Sequence, residues 1–209
     1  MAGSGQELEV KFMISDLAKF RLKLETLGAN LEQDRQHEVN LRFDTPDGEM
    51  ARTYRVLRLR QDSVARVTYK GPGSIQDGVR LRQELEFTVS DFATAKALFE
   101  ALGYQVAVIY EKYRTVFNFA GCEISLDEMP YGSFLEIEGP SGAHIQQVAR
   151  QLELDWDARI MDSYIMLFDR ICQAMNLKIK DLTFNNFAGI AVPVVLFGAR
   201  PADVKPQSG

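Results

Sequence analysis

The 209-residue sequence is poor in the residues that build zinc sites and disulfide frameworks, with only two cysteines and two histidines. Cys122 and Cys172 lie far apart, and neither belongs to a paired-ligand spacing. A zinc site built from these cysteines with His37 and His144 is therefore not expected. A disulfide framework is not expected either, which fits a reducing compartment, and we predict a cytoplasmic protein.

Long apolar runs and an excess of positive charge are also missing. The N-terminal MAGSGQ has no apolar signal core, and the most apolar stretch, AGIAVPVVLFGA (188–199), is interrupted by Pro193 and is too short to span a bilayer. The formal net charge of -5 provides no global basic field. We therefore predict no membrane partner and no nucleic-acid partner. The 46% of hydrophobic residues suffice for the core of one large domain or two small ones.

What the sequence does contain is a repeated strand-then-helix unit. ELEVKFMISDLAKFRLKLETLGANL (7–31) resembles ELEFTVSDFATAKALFEALGYQV (84–106), and FLEIEGPSGAHIQQVARQL (134–152) is a weaker third copy. In the first two copies a Ser-Asp pair can cap the helix, and the glycine of a Leu-Gly pair can end it. We predict a further helix over 162–175, whereas residues 176–209 lose periodicity and end in a loose tail, ARPADVKPQSG.

The stretches between these units are typical of strands separated by turns. Together with the opening strand they predict about eight strands, namely HEVNLRFDT (37–45), YRVLRLRQD (54–62), VARVTYKGP (64–72), VRLRQELEF (79–87), EKYRTVFNF (111–119), CEISLDEM (122–129) and SFLEIEG (133–139). Successive side chains of a strand alternate between its faces, so charged and apolar residues of these strands separate onto opposite faces. In VRLRQELEF, for example, the charged face carries Arg80, Arg82, Glu84 and Glu86, and the other carries Leu81, Leu85 and Phe87.

Alternation of this kind usually marks a solvated sheet face. Here, however, same-sign pairs recur on about six strands, and adjacent like charges need counter-charges from neighbouring strands or a bound ion. We therefore predict an α+β protein, an eight-stranded antiparallel β-barrel whose charged faces converge and whose helices pack on the outside. Carboxylate pairs suit Mg²⁺ or Mn²⁺, and arginines and lysines suit phosphate oxygens. The pattern indicates a cavity for a metal-bound polyphosphate.

Glu7-x-Glu9-x-Lys11 is similar to the N-terminal signature of the CYTH superfamily, the triphosphate tunnel metalloenzymes, which include class IV adenylyl cyclases, thiamine triphosphatases and inorganic triphosphatases. The resemblance covers roughly residues 6–175. It also rests on Leu57-Arg58-Leu59-Arg60, Thr68-x-Lys70-Gly71, Glu84-x-Glu86, Lys112-x-Arg114, Asp127 and Glu136-x-Glu138, in this order. It implies an eight-stranded antiparallel tunnel that binds a triphosphate together with Mg²⁺ or Mn²⁺.

The resemblance also implies roles for individual residues. The implied metal ligands are Glu7, Glu9, Asp127, Glu136 and Glu138. The implied triphosphate ligands are Lys11, Arg58, Arg60, Lys70 and Arg114, assisted by Lys112 and Arg82. Glu84 and Glu86 are expected to hold a second metal or to orient the catalytic water. Residues 1–5 are expected to be disordered, residues 6–175 to form the tunnel domain, and residues 176–209 to be an extension of unknown role.

Three functions are compatible with these residues. The first is a metal-dependent phosphohydrolase that cleaves inorganic triphosphate or a small organic triphosphate, and we favour it because hydrolysis requires no base pocket. The second is a class IV adenylyl cyclase that converts ATP to cyclic AMP and diphosphate. The third is a polyphosphate- or nucleotide-binding module without turnover. The expected partner is a small-molecule triphosphate (inorganic triphosphate, thiamine triphosphate or ATP), and the exterior could also support a homodimer.

Overall fold

The computed structural model describes residues 5–204 and places ten strands along the chain. The strands are β1 (Gln6–Met13), β2 (Asn30–Asp44), β3 (Val56–Gln61), β4 (Ala65–Lys70), β5 (Ser74–Gln76), β6 (Val79–Val89), β7 (Gln105–Phe119), β8 (Cys122–Met129), β9 (Gly132–Glu138) and β10 (Arg159–Ile160). The predicted disorder of residues 1–4 lies outside the described residues, whereas the Gly5 carbonyl accepts a hydrogen bond from the backbone N–H of Glu84.

Eight of these strands close into a ring. Their order is β1-β9-β8-β7-β2-β3-β4-β6, and β6 pairs back with β1, so that Glu7 lies opposite Arg82 and Glu9 opposite Arg80. All of these pairings are antiparallel, while the short strands β5 and β10 add to β6 and β1. The predicted eight-stranded antiparallel architecture is confirmed.

Two strand predictions were wrong in detail. Strands β2 and β7 begin earlier than the charge alternation suggested, because they pair with each other from Asn30 opposite Asn118 to Asp44 opposite Gln105. The first half of β2 is mostly exposed on both faces. Its residues therefore show no alternation of apolar and polar side chains from which a strand could be predicted. On β6, Leu85 and Phe87 face outward as predicted, but they are 51% and 58% exposed because no helix covers this part of the ring.

Five helices accompany the ring, and the three repeated units each contain one. The helices are α1 (Leu17–Thr26), α2 (Glu49–Arg52), α3 (Phe92–Ala101), α4 (Gly142–Gln151) and α5 (Tyr164–Met175). The side chains of Asp16, Asp91 and Ser141 cap α1, α3 and α4 by accepting a backbone N–H three residues on. Gly28 and Gly103 follow α1 and α3 with positive φ, as a glycine stop requires. Within residues 5–204, none of these helices is long and apolar enough to cross a bilayer.

The helices cover parts of the apolar outside of the ring, and the charged inside is left to the cavity. One layer packs α1 and α4 against β1, β8 and β9, through residues such as Leu24, Ile137 and Ile145. Another packs Ala95 of α3 near Leu59 of β3. Each fully buried aliphatic side chain of this kind contributes about 1.5–3 kcal/mol, so the apolar exterior stabilises a ring whose interior is polar.

Residues 176–204 pack onto the ring, so the loose tail expected from residue 199 onward is wrong for residues 199–204. The backbone of Leu182 donates to Ile109 and accepts from Glu111, both at 2.9 Å, and Ala202 donates to Met13 at 2.9 Å. Leu182 is fully buried, as is most of Phe197. These apolar residues pack onto the ring one at a time and not along one face of a helix. The sequence of this segment therefore shows no periodic pattern that would predict the packing. The rest of the predicted tail, residues 205–209, lies outside the described part of the chain.

Candidate functional site

The ring encloses a cavity of about 350 Å³ that opens to solvent. All of the predicted site residues except Asp127 line it, namely Glu7, Glu9, Lys11, Arg58, Arg60, Lys70, Arg82, Glu84, Glu86, Lys112, Arg114, Glu136 and Glu138. They come from β1, β3, β4, β6, β7 and β9, because the inward-facing residues of each strand converge when the sheet closes. The arrangement therefore excludes the reading of these strands as separate solvated faces.

One wall of the cavity, formed by β1, β7, β8 and β9, carries a closed network of ion pairs. The Asp127 carboxylate accepts two hydrogen bonds of 2.6 Å from Arg114, one of 3.1 Å from Lys112 and one of 2.8 Å from the hydroxyl of Tyr164. Glu136 pairs with Arg114 at 2.5 Å and with Lys11 at 2.7 Å. Although burial opposes ionisation, these cations hold the pKa of Glu136 well below its ordinary value.

Asp127 is fully buried behind this wall and does not line the cavity. Both of its oxygens already accept charged or hydroxyl donors. In this arrangement its carboxylate orients Arg114 and Lys112, and its metal-ligand role stays a prediction from the resemblance.

The facing strands β3, β4 and β6 carry a second group of cations with carboxylate partners. Lys70 contacts Glu7 at 2.7 Å and Glu84 at 3.0 Å. Burial lowers the pKa of Lys70, but Glu7 and Glu9 outweigh it and raise the value above the ordinary one. Glu86 accepts a 2.8 Å hydrogen bond from Thr68.

Arg58 and Arg60 reach the same Glu86 carboxylate at 3.4 and 3.3 Å. Burial raises the pKa of Glu86, but Arg60, Thr68 and Arg58 lower it below its ordinary value. Glu86 is therefore held as an anion that fixes two arginines side by side.

Glu9 and Glu138 lie directly opposite each other on β1 and β9. Within residues 5–204, neither carboxylate has a hydrogen bond or ion pair. Burial and then repulsion from Glu7 raise the pKa of both, and the value for Glu138 rises to about 8. The nearest cations, Lys11 and Lys70, already pair with Glu136 and Glu7, so the two neighbouring acidic groups favour a bound cation.

The fit to a metal rests on this donor chemistry. No group of three or more acidic, histidine or cysteine side chains in the described residues is already arranged as a metal site. Mg²⁺ commonly takes only one or two carboxylates and completes its shell with water and substrate phosphate oxygens. Glu9 and Glu138 are suited to that mode of binding, and Mn²⁺ accepts the same oxygen ligands.

Three inward-facing residues of β2, namely Glu38, Asn40 and Arg42, were not recognised from the sequence. They alternate with Val39, Leu41 and Phe43, the signal by which they could have been found. Glu38 lies 3.6 Å from Lys112 and 3.7 Å from Arg60. Burial raises its pKa, but Lys112, Arg114 and Arg60 lower it to about 2.

Several buried polar atoms beside β2 lack hydrogen-bond partners among the described residues. They are Glu38 Oε2, both amide atoms of Asn40, Arg58 Nε and Arg60 Nε. Buried polar groups are normally paired, so such a cluster marks a place for ordered water or for a polar ligand.

Helix α5 also contributes to the cavity, which the prediction of an exterior helix missed. Ser163, Tyr164 and Ile165 line it, as do Val56, Arg80, Tyr110, Glu123 and Ser125. The ammonium of Lys11 lies 4.2 Å from the centre of the Tyr164 ring. Arg82 has a different position, because it donates to the carbonyls of Gly71 and Tyr54 and so ties down the chain around β5.

A closed antiparallel ring with acids and bases converging on one cavity is a tunnel architecture. The model of the CYTH domain matches residues 5–160, and the chain belongs to this family. The family membership expected from the sequence motifs is confirmed. No curated protein matches the chain.

Solved structures agree with this fold. A provisionally named adenylate cyclase of Vibrio parahaemolyticus is 19% identical with a TM-score of 0.70, covering 78% of this chain and 97% of that one. PH1012 of Pyrococcus horikoshii OT3 is 27% identical with a TM-score of 0.66, covering 77% and 98%. HpAC1 from Hippeastrum, a provisionally named adenylyl cyclase described as having a dominant triphosphatase activity, is 17% identical with a TM-score of 0.61, covering 78% and 95%.

Proposed function

We propose that this protein is a divalent-metal-dependent phosphohydrolase that cleaves inorganic triphosphate or a small organic triphosphate in the cavity of the ring. The observation that carries the proposal is the juxtaposition of two kinds of group in one cavity. Arginines and lysines that suit phosphate oxygens face Glu9 and Glu138, two adjacent carboxylates without a partner in the described residues. A metal-bound phosphate chain satisfies both groups at once.

Phosphoryl transfer needs positioning and charge neutralisation more than covalent help from the protein. We assign Lys11, Arg58, Arg60, Lys70, Lys112 and Arg114 to the phosphate oxygens, with Arg82 assisting. Glu9 and Glu138 would hold Mg²⁺ or Mn²⁺, with Glu7 and Glu136 beside them. When bound, the metal supplies positive charge against the phosphate oxygens.

The two carboxylates predicted for water activation receive different roles. Glu86 is engaged by Thr68, Arg58 and Arg60 and positions these arginines. Within residues 5–204, Glu84 has a single cationic partner, Lys70, and we assign it the orientation of the attacking water. An oxygen–phosphorus bond forms at the terminal phosphorus as the bridging bond breaks. Triphosphate and water thus become diphosphate and orthophosphate, and the proton that water loses passes through Glu84 to solvent.

The lining favours hydrolysis over cyclisation. A cyclase must exclude water and hold a purine, yet among the described residues lining the cavity only Val56 and Ile165 are aliphatic. The phenol of Tyr110 accepts from Arg58, and Tyr164 donates to Asp127. The ammonium of Lys11 already lies over one face of the Tyr164 ring, so a base could stack there only by displacing it.

One incubation with Mg²⁺ or Mn²⁺ tests the proposal on inorganic triphosphate, thiamine triphosphate and ATP. We expect orthophosphate from at least one of them, and none after removal of the metal with EDTA. Cyclic AMP with diphosphate as the main products from ATP would establish the cyclase instead. Tight binding without any product would establish a binding module.

A further inference from the structure

The cavity has two ends of different charge. β2 and β4 run in one direction and β3 and β6 in the other, so the end of β2 and the starts of β3 and β6 share one end of the ring. This end carries Arg42, Val56 and Arg80, and it is completed by Ser163 and Ile165 at the start of α5. We call it the basic end. The opposite end carries the carboxylates of Glu86, Glu123 and Glu138.

Arg42 faces the cavity without a direct partner. Within residues 5–204 its guanidinium has no hydrogen bond and no carboxylate within ion-pair distance. Asp44 and Asp169 attract it only from further away, and Asp44 already accepts backbone N–H groups of Met50 and Ala51. Its neighbour across the strands is Arg58, another cation. Arg58 already contacts Glu86, whereas Arg42 has no such contact and favours a bound anion beside it.

Arg80 repeats this situation on β6. Its only hydrogen bond in the described residues is a long one, 3.4 Å, to the carbonyl of Met161. Glu9 is its cross-strand neighbour, but the two side chains form no ion pair. The next inward residue on the same strand is Arg82, so like charges again lie side by side. The start of α5 adds the positive end of its dipole to the same region.

The chemistry of the basic end discriminates among extensions of a bound triphosphate. A cationic thiazolium would meet two unpaired arginines and be repelled. A nucleobase would find only two aliphatic side chains in the described lining, and Lys11 already lies over the Tyr164 ring. Further phosphate groups would find two guanidinium groups without competing carboxylates, and arginine binds phosphate in a bidentate manner.

We propose that Arg42 and Arg80 form a chain-extension subsite, which binds the fourth and later phosphates of a linear inorganic polyphosphate whose terminal triphosphate occupies the site described above. This inference rests on the proposed function and names its substrate class. It places the reacting terminal phosphate toward the acidic end and the remainder of the chain toward the basic end.

The test compares tripolyphosphate with tetrapolyphosphate as substrates for the wild type, Arg42→Gln, Arg80→Gln and the double variant. The matched control is Arg52→Gln, which removes the same charge from a surface arginine paired with Asp47. We expect kcat/KM of the wild type to favour tetrapolyphosphate by about tenfold, the effect of one good charge-assisted contact. Each site variant should reduce this preference and the double variant abolish it, while Arg52→Gln retains it.

A binding measurement without turnover accompanies the kinetics. Calorimetric titration of both polyphosphates in EDTA should show the same preference and the same losses. Because Arg42 lies beside the core, Arg42→Gln could lower the melting temperature. In that case Arg42→Lys replaces it as the test variant, and it should retain part of the preference for tetrapolyphosphate.

The remaining outcomes separate the two proposals. Equal weakening of tripolyphosphate and tetrapolyphosphate in the variants, or no preference in the wild type, overturns the subsite and leaves the triphosphatase standing. A selective loss of ATP or thiamine triphosphate turnover overturns it by assigning the basic end to an organic group. Failure of the wild type to bind or cleave any triphosphate removes the proposed function, and with it the subsite.

Discussion

Two regions of the same cavity differ in how their charges are satisfied. On the wall formed by β1, β7, β8 and β9, Asp127 and Glu136 form short ion pairs with Lys11, Lys112 and Arg114. On the rim where β1 meets β9, Glu9 and Glu138 face each other without a partner in the described residues. The cations of the wall thus already pair with carboxylates, whereas the rim leaves a carboxylate pair that protons or a bound cation can neutralise.

The paired wall should dominate stability. Asp127→Ala would leave Arg114 with Glu136 alone and Lys112 with only the more distant Glu38, and we expect the free energy of unfolding to fall by about 3–5 kcal/mol. Urea denaturation measures this change. The control is Glu128→Ala, on the same strand as Asp127, which breaks an exposed ion pair with Arg35. It should lower the free energy of unfolding by less than about 1 kcal/mol. Equal losses in the two variants would refute the special status of the wall.

The unpaired rim should dominate activity. Glu138→Gln and Glu9→Gln are each expected to reduce Mg²⁺-dependent turnover of the preferred triphosphate by about 100-fold, because each removes a charged metal ligand. The melting temperature of the metal-free protein should not fall, since the substitution relieves repulsion. Glu100→Gln, on the surface of α3, serves as a control and should be active. Full activity of Glu138→Gln would exclude Glu138 from the site.

Arg58 lies on β3, outside both regions, and we expect it to act mainly in substrate binding. Arg58→Ala should raise KM by about 10- to 100-fold, the effect of losing a charge-assisted contact to phosphate. The decrease in kcat should be smaller than the increase in KM. Steady-state kinetics measure both, with the surface variant Arg52→Ala as the control. An unchanged affinity for triphosphate would contradict the contact that we assign to Arg58.

The smallest expected effect is on the pH dependence of stability. The pKa of Glu138 is about 8 in the folded protein, above its ordinary value of 4.5. The folded state therefore retains a proton that the unfolded chain loses, and this contribution to stability is lost as pH rises through about 8. Because Glu138 is exposed at the rim, the loss should be modest. Melting curves of the metal-free protein should show it, and Glu138→Gln should flatten it.

Sequence periodicity and motifs predict the ring and most of its lining, because alternation in a closed sheet fixes which side chains face inward. They could not predict that Tyr164 would donate to Asp127, which already accepts from Arg114 and Lys112, since that contact depends on where α5 docks. Glu38 and Arg42 were overlooked although their strand alternates, because single charges form no recognisable same-sign pair. The packing of residues 176–204 leaves no periodic signal either, since it uses isolated anchors such as Leu182 and Phe197.

The central claim is that Glu9 and Glu138 hold a divalent cation against a phosphate chain gripped by the cations of the same cavity. A crystal structure of the protein with Mn²⁺ and tripolyphosphate, using anomalous scattering to locate the metal, tests this most directly. We predict a manganese peak between Glu9 and Glu138 in contact with phosphate oxygens, and phosphates beside Arg58 and Lys70. Triphosphate bound outside the ring, or metal bound away from both carboxylates, would contradict the account.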